Sequence, residues 1–360
     1  MLVRFAKFAP AISAGNAAWA LALLVTSTCA AAIAQAQSVD TVYSTKGGTP
    51  AKGTVTAITK NEITLDMAGV PRTFATNEIQ RIVFGDEPGE LSNARNAVLQ
   101  KNYNSAIEEL KKIPPANLTR EFMRQDAAYF RAFCDLKMAV SEGGDKTKAE
   151  ADMLNFLRAA PDSYHFYEAA ELLGDLAVAS GKYENAERYY GSISRAPFTD
   201  YQMRSNNAVG RAMVAQGKFA EALTKFEAVL AGDASNTEAT QQKQLASIGK
   251  AQCLAETGKP DEGIKMIEDI IAKNDPQDAK LFARAYNALG ACQLKANRPK
   301  EALLAYLHTD VLFYADGDAH AEALYNLTKL WTSLNKSDRA TQARNTLRER
   351  YAGSLWNAKE

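Results

Sequence analysis

Two hydrophobic periods divide this chain. Between residues 41 and 84, apolar side chains alternate with small or polar ones, as in GTVTAIT (53–59) and EITLDM (62–67), both rich in Val, Ile and Thr. A period of two puts one face of a strand on a core. Lys60-Asn61 suits a tight hairpin between these segments, while Gly47-Gly48 and Gly69 break the chain on either side. TVYST (41–45), RTFAT (72–76) and IQRIVF (79–84) supply three more short strands. Five such strands predict a small curled β module over residues 38–87. A module of this size buries little surface alone, so it is expected to pack on the next segment of the chain or to pair with a second copy. Asp86 is placed to cap the next helix and Pro88 to sit in its first turn.

From residue 89 onward the apolar spacing becomes three and four, which is helical, and similar stretches recur. LLGDLAVASGKYENAERYY (172–190) aligns with AVGRAMVAQGKFAEALTKF (208–226) and ALGACQLKANRPKEALLAY (288–306). SNARNAVLQKNYNSAIEEL (92–110), GKAQCLAETGKPDEGIKMI (249–267) and NLTKLWTSLNKSDRATQAR (326–344) fit the same frame more loosely. YFRAFCDL and AEADMLNFL read as a further pair of helices whose turn is lengthened by SEGGD (141–145).

A small residue in mid-helix, a glycine turn, an aromatic, then an alanine and a bulky residue: this frame resembles the tetratricopeptide repeat. The resemblance implies a mainly α fold, an α-solenoid of about seven helix pairs over residues 89–356. In that family frame Gly174, Gly210 and Gly290 let the paired helices approach. Gly181, Gly217 and Gly258 end first helices in the left-handed conformation. Tyr183 and Phe219 open second helices, and Pro260 and Pro299 replace that aromatic in two repeats. Ala186, Ala222 and Ala302 are small at the crossing, and Tyr190, Phe226 and Tyr306 are knobs toward the next repeat. Spacings between equivalent positions exceed the family's ~34 residues. The β module, by its order of strand, glycine turn, strand and hairpin, resembles Sm-like or SH3-like barrels. The glycines do not read as a phosphate loop, because Gly174 lies inside a helical pattern rather than between a strand and a helix.

In such arrays first helices line a concave groove. Positions one or two turns around from the packing glycine place Glu168, Glu171 and Asp175 in it, then Arg204, Asn207 and Arg211, then Arg284, Asn287 and Lys295, and finally Asn326 and Lys329. Arg204, Asn207, Arg211, Arg284, Asn287, Asn326 and Lys329 are therefore the candidate partner-binding residues. A basic, amide-rich strip suits an acidic peptide or a C-terminal carboxylate. The aromatics of the last third, with Trp356 at its end, read as core and cap.

Acidic and basic residues balance at 42 each, so global charge draws the chain neither to nucleic acid nor to acidic membranes. The three histidines, His165, His308 and His320, stand at no metal-ligand spacing, and neither a metal nor a cofactor is expected. No nucleophile–base set stands out, and no enzyme is expected. Arg4 and Lys7 precede an apolar run from Ala17 to Val25, and Ala34-Gln35-Ala36 offers small residues for cleavage. Residues 1–36 thus read as a signal peptide, with Gln37 first in the mature chain. Left uncleaved, the same run would anchor the chain in a membrane. Cys29 follows Thr28 and lacks the usual context of a lipidated cysteine. Cys134, Cys253 and Cys292 then remain, an odd number in alanine-rich helices, and read as buried thiols.

The expected function is an exported scaffold or adaptor in the periplasm or cell envelope that holds a protein or peptide on the array. AEALYNLTKLWTSL and LRERYAGSLW resemble the last repeats of bacterial envelope-coordinating proteins. The sequence leaves two alternatives open. One is a non-catalytic substrate-positioning subunit of an envelope enzyme complex. The other is a structural envelope protein that self-associates through the β module.

Overall fold

A computed structural model describes residues 39–234 and 236–359; the segment read as a signal peptide lies outside the described residues. Five strands come first: β1 (Asp40–Ser44), β2 (Ala51–Ile58), β3 (Glu62–Met67), β4 (Val70–Ala75) and β5 (Ile79–Val83). They form one antiparallel sheet in the order β4-β3-β2-β1-β5. The β2–β3 register closes on Ile58 opposite Ile63, so the hairpin turns at Lys60-Asn61 as expected. Irregularities in register on β2 and β1 add local twist.

Seven helix pairs follow. They are α1 (Gly89–Leu99) and α2 (Tyr103–Lys111), α3 (Glu121–Ser141) and α4 (Lys146–Ala159), α5 (Phe166–Ala179) and α6 (Tyr183–Ile193), and α7 (Thr199–Ala215) and α8 (Phe219–Ala231). Next come α9 (Thr237–Glu256) and α10 (Pro260–Lys273), α11 (Ala279–Lys295) and α12 (Pro299–Leu312), and α13 (Gly317–Ser333) and α14 (Ser337–Arg350). A short α15 (Leu355–Ala358) ends the array. Asp86 and Pro88 differ from expectation. Pro88 itself is the residue before α1, and no side chain caps that helix. Asp86 instead accepts from the Thr119 hydroxyl at 3.2 Å and lies 3.5 Å from Arg120.

Six of the seven pairs turn in the same way. The left-handed position is held by Gly181, Gly217 and Gly258, and by Lys101, Asn297 and Asn335 in the degenerate repeats. The next residue's N–H then reaches back over the helix end: Lys182 to the Ala177 carbonyl at 2.8 Å, Lys218 to Met213 at 2.9 Å, Lys336 to Trp331 at 2.9 Å. This satisfies carbonyls that a helix end would leave orphaned. Pro260 and Pro299 sit in the first turn of their helices, where a missing N–H costs nothing.

The mid-helix glycines work by contact. A Cβ on Gly174 would lie 2.2 Å from the Tyr190 ring, and one on Gly290 would lie 2.6 Å from the Tyr306 ring. Phe226 is gripped from two sides, since a Cβ on Gly210 would lie 2.7 Å from it and one on Gly249, in the next pair, 2.4 Å. The knobs therefore fill their own pair first and reach the neighbour second. Each is buried nearly completely, which is worth about 1.5–3 kcal/mol per ring. Cys134, Cys253 and Cys292 are buried and unpaired. Burial pushes each thiol up to about 12, so they pack as small neutral groups.

The sheet does not stand apart from the helices. Val42, Val55, Ile63, Leu65 and Ile82 share one core with Leu91 of α1, Leu110 of α2 and Met123 of α3. Two buried carboxylates weld the junction. Asp40 accepts from the backbone N–H of Val55 and Gly85 and from Arg120, at 2.7, 3.0 and 2.7 Å. Asp126, fully buried in α3, accepts from Arg95 Nε at 2.9 Å, Tyr164 Oη at 2.8 Å and His165 Nε2 at 2.8 Å. Arg95 in turn holds Glu87 through two bonds, at 2.6 and 2.9 Å. Burial works to raise Asp126, but Arg95 and His165 outweigh it and hold the carboxyl at about 2. Burial likewise opposes charge on His165, and its bonds to Asp126 and Glu168 overcome this and raise its pKa.

The array also closes on itself. Lys101 Nζ, between α1 and α2, donates to the Ala315 carbonyl at 2.9 Å. The Gly353 N–H donates to Ser141 O at 3.3 Å, and a Cβ on Gly353 would lie 2.3 Å from the Ala139 carbonyl oxygen. The SEGGD turn of the second pair, with Gly143 left-handed, is the seat for this tail.

Replacing Gly174 with Ala should cost about 1–3 kcal/mol in urea unfolding, because the new methyl meets a fixed ring. Gly191→Ala in α6, where a Cβ would meet nothing within 4 Å, should be neutral or gain up to about 1 kcal/mol. Asp126→Asn should lose about 3–5 kcal/mol at neutral pH by leaving buried cations unpaired. The sign with pH is set by the two shifts. Asp126 lends stability above the ordinary carboxylate value of ~3.9, and this is lost as pH falls toward about 2. The gap between wild type and variant should therefore narrow over that interval. His165 lends stability that is complete below ~6.5 and is lost as pH rises through its raised folded value. Urea midpoints measured across pH test both limbs.

Candidate partner-binding groove

First helices touch one another in succession, α1 to α3, α3 to α5, α5 to α7, α7 to α9, α9 to α11 and α11 to α13. They stand side by side as one wall of the array, and this wall carries the charged positions singled out by the repeat frame. Several are committed to holding the wall together. Glu171 of α5 pairs with Arg204 of α7. Arg284 Nε lies 3.4 Å from Asp316 Oδ2, just before α13. Lys295 pairs with Glu256 at 2.6 Å.

The asparagines take a role that their spacing does not assign. Asn207 is buried, and its Nδ2 donates at 2.8 Å to both the backbone and side-chain oxygens of Gln242. Asn287 is buried as well and donates to Ala319 O at 2.7 Å and to Glu322 Oε2 at 3.0 Å. Both stand three residues before the packing glycine and reach the next first helix. They act as clamps between repeats and do not open onto the groove. Asn326 donates along its own helix to Glu322 O at 2.9 Å. Lys329 is exposed, with its ammonium 4.4 Å from the Tyr325 ring centre.

Arg211 is half-buried, and Lys280, which the repeat frame does not single out, is exposed. Lys280 feels desolvation and the nearby charges of Arg284 and Arg211, and its pKa is lowered. Asp316 and Glu171 oppose that shift, so three cations share this stretch with two carboxylates. Further along, Asp318 and Glu322 stand one turn apart on α13. Desolvation within the concavity raises Asp318, with Asp316 and Asp175 adding to it and Arg284 and Arg211 opposing. Half-buried Glu322 is pushed to about 7 by desolvation and by Asp318, against its bond from Asn287. Asp175 on α5 thereby acts on α11 and α13, which lie on the far side of the wall, as expected when the wall curves through a full turn. Lys280/Arg284 and Asp318/Glu322 were legible in principle, since each pair has the i, i+4 spacing that shares a helix face.

Among the described residues no group of His, Cys, Asp and Glu could hold a metal ion, and no helix is long and apolar enough to cross a membrane. His165 and His320 are tied to Asp126 and Asp310, each at 2.8 Å.

Residues 213–284, from the end of α7 into α11, match the sequence profile of the tetratricopeptide repeat. No curated protein matches the chain. Among solved structures, a tetratricopeptide repeat protein from Parabacteroides merdae superposes with a TM-score of 0.50 at 14% identity, covering 73% of this chain and 92% of that one. The apo form of the quorum sensor NprR from B. thuringiensis gives 0.47 at 11% identity, covering 72% and 85%. NprR in complex with its cognate peptide NprX gives 0.49 at 14%, covering 75% and 80%. The matched profile, the superposed fold and the six similar helix turns agree: residues 213–284 carry tetratricopeptide-repeat sequence, within a helical array of the same kind that follows a five-stranded β module.

Proposed function

We propose that the protein is an exported, non-catalytic scaffold that holds an extended polypeptide segment along the inner wall of its array. One observation carries this reading. Charges from α5, α7, α11 and α13 converge on a single groove, and two cations there, Arg211 and Lys280, stand in no salt bridge among the described residues, with Arg211 adding to the lowering of the Lys280 pKa. An acidic group of the partner would relieve that crowding, since a charge-assisted bond is worth more in a partly desolvated groove than in open water. Arg204 and Arg284 are already neutralised by Glu171 and Asp316, so they shape the wall and contribute less to capture. Asp318 and Glu322 give the groove an acidic end, and the segment it suits carries both signs of charge. Export is supported by the positive, apolar and small-residue order of residues 1–36.

Arg211→Glu with Lys280→Glu should leave the unfolding midpoint nearly unchanged and abolish recovery of the partner by cross-linking from envelope extracts. Identical partners captured by wild type and double variant would contradict the groove reading. Mass spectrometry of the secreted chain should find Gln37 at its start; a chain retaining residues 1–36 in the cytosol would contradict export.

A further inference from the structure

A second concavity lies away from the groove, where the sheet meets the array. β5, α1, α3 and the segment leading into α5 enclose a pocket of about 170 Å³. Val98 and Leu99 of α1 face Phe130 and Phe133 of α3 across it. Its deepest part is Tyr129, stacked on His165 with ring centres 3.7 Å apart. Leu99 at its edge is 66% exposed, so the apolar wall opens to solvent.

One polar group lining this pocket lacks a partner. The buried Tyr129 hydroxyl has Glu168 within its reach. Arg81 of β5 has its Nε shut off from solvent without a partner. Its guanidinium lies 4.2 Å from the Tyr43 ring centre and makes no hydrogen bond or ion pair among the described residues. A buried donor left unmade costs about 1–3 kcal/mol, so an orphaned donor in a native pocket calls for an occupant.

Charge decides which occupant. Arg95 is neutralised by Glu87 and Asp126. Glu168 is held at about 2, against burial, by His165 and Arg204. Arg81 is the lining charge left uncompensated, and the ligand it asks for is an anion. The walls ask for a ring or a branched chain. A dry cavity near 150 Å³ takes a benzene, so this pocket takes one ring and little more. That volume has no room for several residues, which favours a whole small molecule over the end of a long chain.

We propose that the pocket between sheet and array is a binding site for a small monocarboxylic acid with one bulky apolar group, the ring seated between Leu99 and Phe133 and the carboxylate on Arg81. The site would place a small-molecule signal at the root of an array whose far wall is free to hold a protein.

Titration calorimetry with 3-phenylpropionate and with its neutral amide tests this. Wild type should bind the acid saturably and the amide at least about tenfold more weakly, the loss of one charge-assisted contact. Arg81→Gln should abolish the preference for the acid, Arg81→Lys should restore part of it, and Leu99→Asp should weaken both ligands. Arg81 and Leu99 lie outside the buried network, so thermal melts should match wild type. The Arg211→Glu, Lys280→Glu variant should bind as wild type does, which separates this pocket from the groove. No saturable binding, equal binding of acid and amide, or an Arg81→Gln variant that keeps the preference would each overturn the proposal. Binding of the peptide acetyl-Ala-Ala-Phe acid without binding of phenylpropionate would overturn it in favour of a polypeptide C-terminus.

Discussion

Two helices pass closely where the residues between them are smallest, and the architecture of this protein depends on that constraint. At Gly174, Gly210 and Gly290 the space a methyl would need is already taken by the ring of Tyr190, Phe226 or Tyr306. Each ring is gripped within its pair, and Phe226 is gripped again by Gly249 of the next. The register between neighbouring pairs is therefore fixed by contact rather than by loop length. Small rotations of one pair on the next then accumulate in one sense, and the array curves until its tail meets the second pair at Gly353 and Ser141.

That curvature is what gives the inner wall its chemistry. Asp175, Arg211, Arg284 and Asp318 are far apart along the chain, yet Asp175 bears on the ionisation of both Arg284 and Asp318, and Arg211 on that of Asp318. A straight stack would keep such charges in separate water. Here they share a concavity in which desolvation raises Asp318 and Glu322 and lowers Lys280, while Arg284 outweighs it at Asp316 and holds that carboxyl low. The β module fixes the other end. Its core is continuous with α1–α3, and Asp40 and Asp126 tie it to the helices with buried, charge-assisted bonds that leave little freedom at the junction. The pocket beneath β5 is a consequence of that junction, since neither sheet nor helices alone would enclose it.

The repeats were readable because they rest on local facts: a glycine at a turn, a glycine under a ring, an alanine at a crossing. The strands were readable for the same reason, and the Lys60-Asn61 hairpin fell where alternation put it. What could not be read were contacts that depend on accumulated curvature. Asn207 and Asn287 look like groove residues on a helical wheel, yet each is bent over by the next first helix and buried as a clamp. Arg204 and Arg284 look like a free basic strip until the neighbouring helix brings Glu171 and Asp316 to them. Gly143 and Gly353 carry no local signal of their partnership, because each is ordinary in its own turn. The Asp126 network joins residues from three helices and two linkers, and no spacing along the chain encodes it.

The central claim is that contact-fixed register carries the array through a closed turn. Spin labels at Glu142, beside the second pair's turn, and at Asn357, in α15, would read that directly by double electron–electron resonance in the purified protein. A closed turn predicts one short, narrow distance that persists in solution. A long or broad distribution, with the tail away from Ser141, would show that the turn does not close and that the charges of the inner wall do not share one groove.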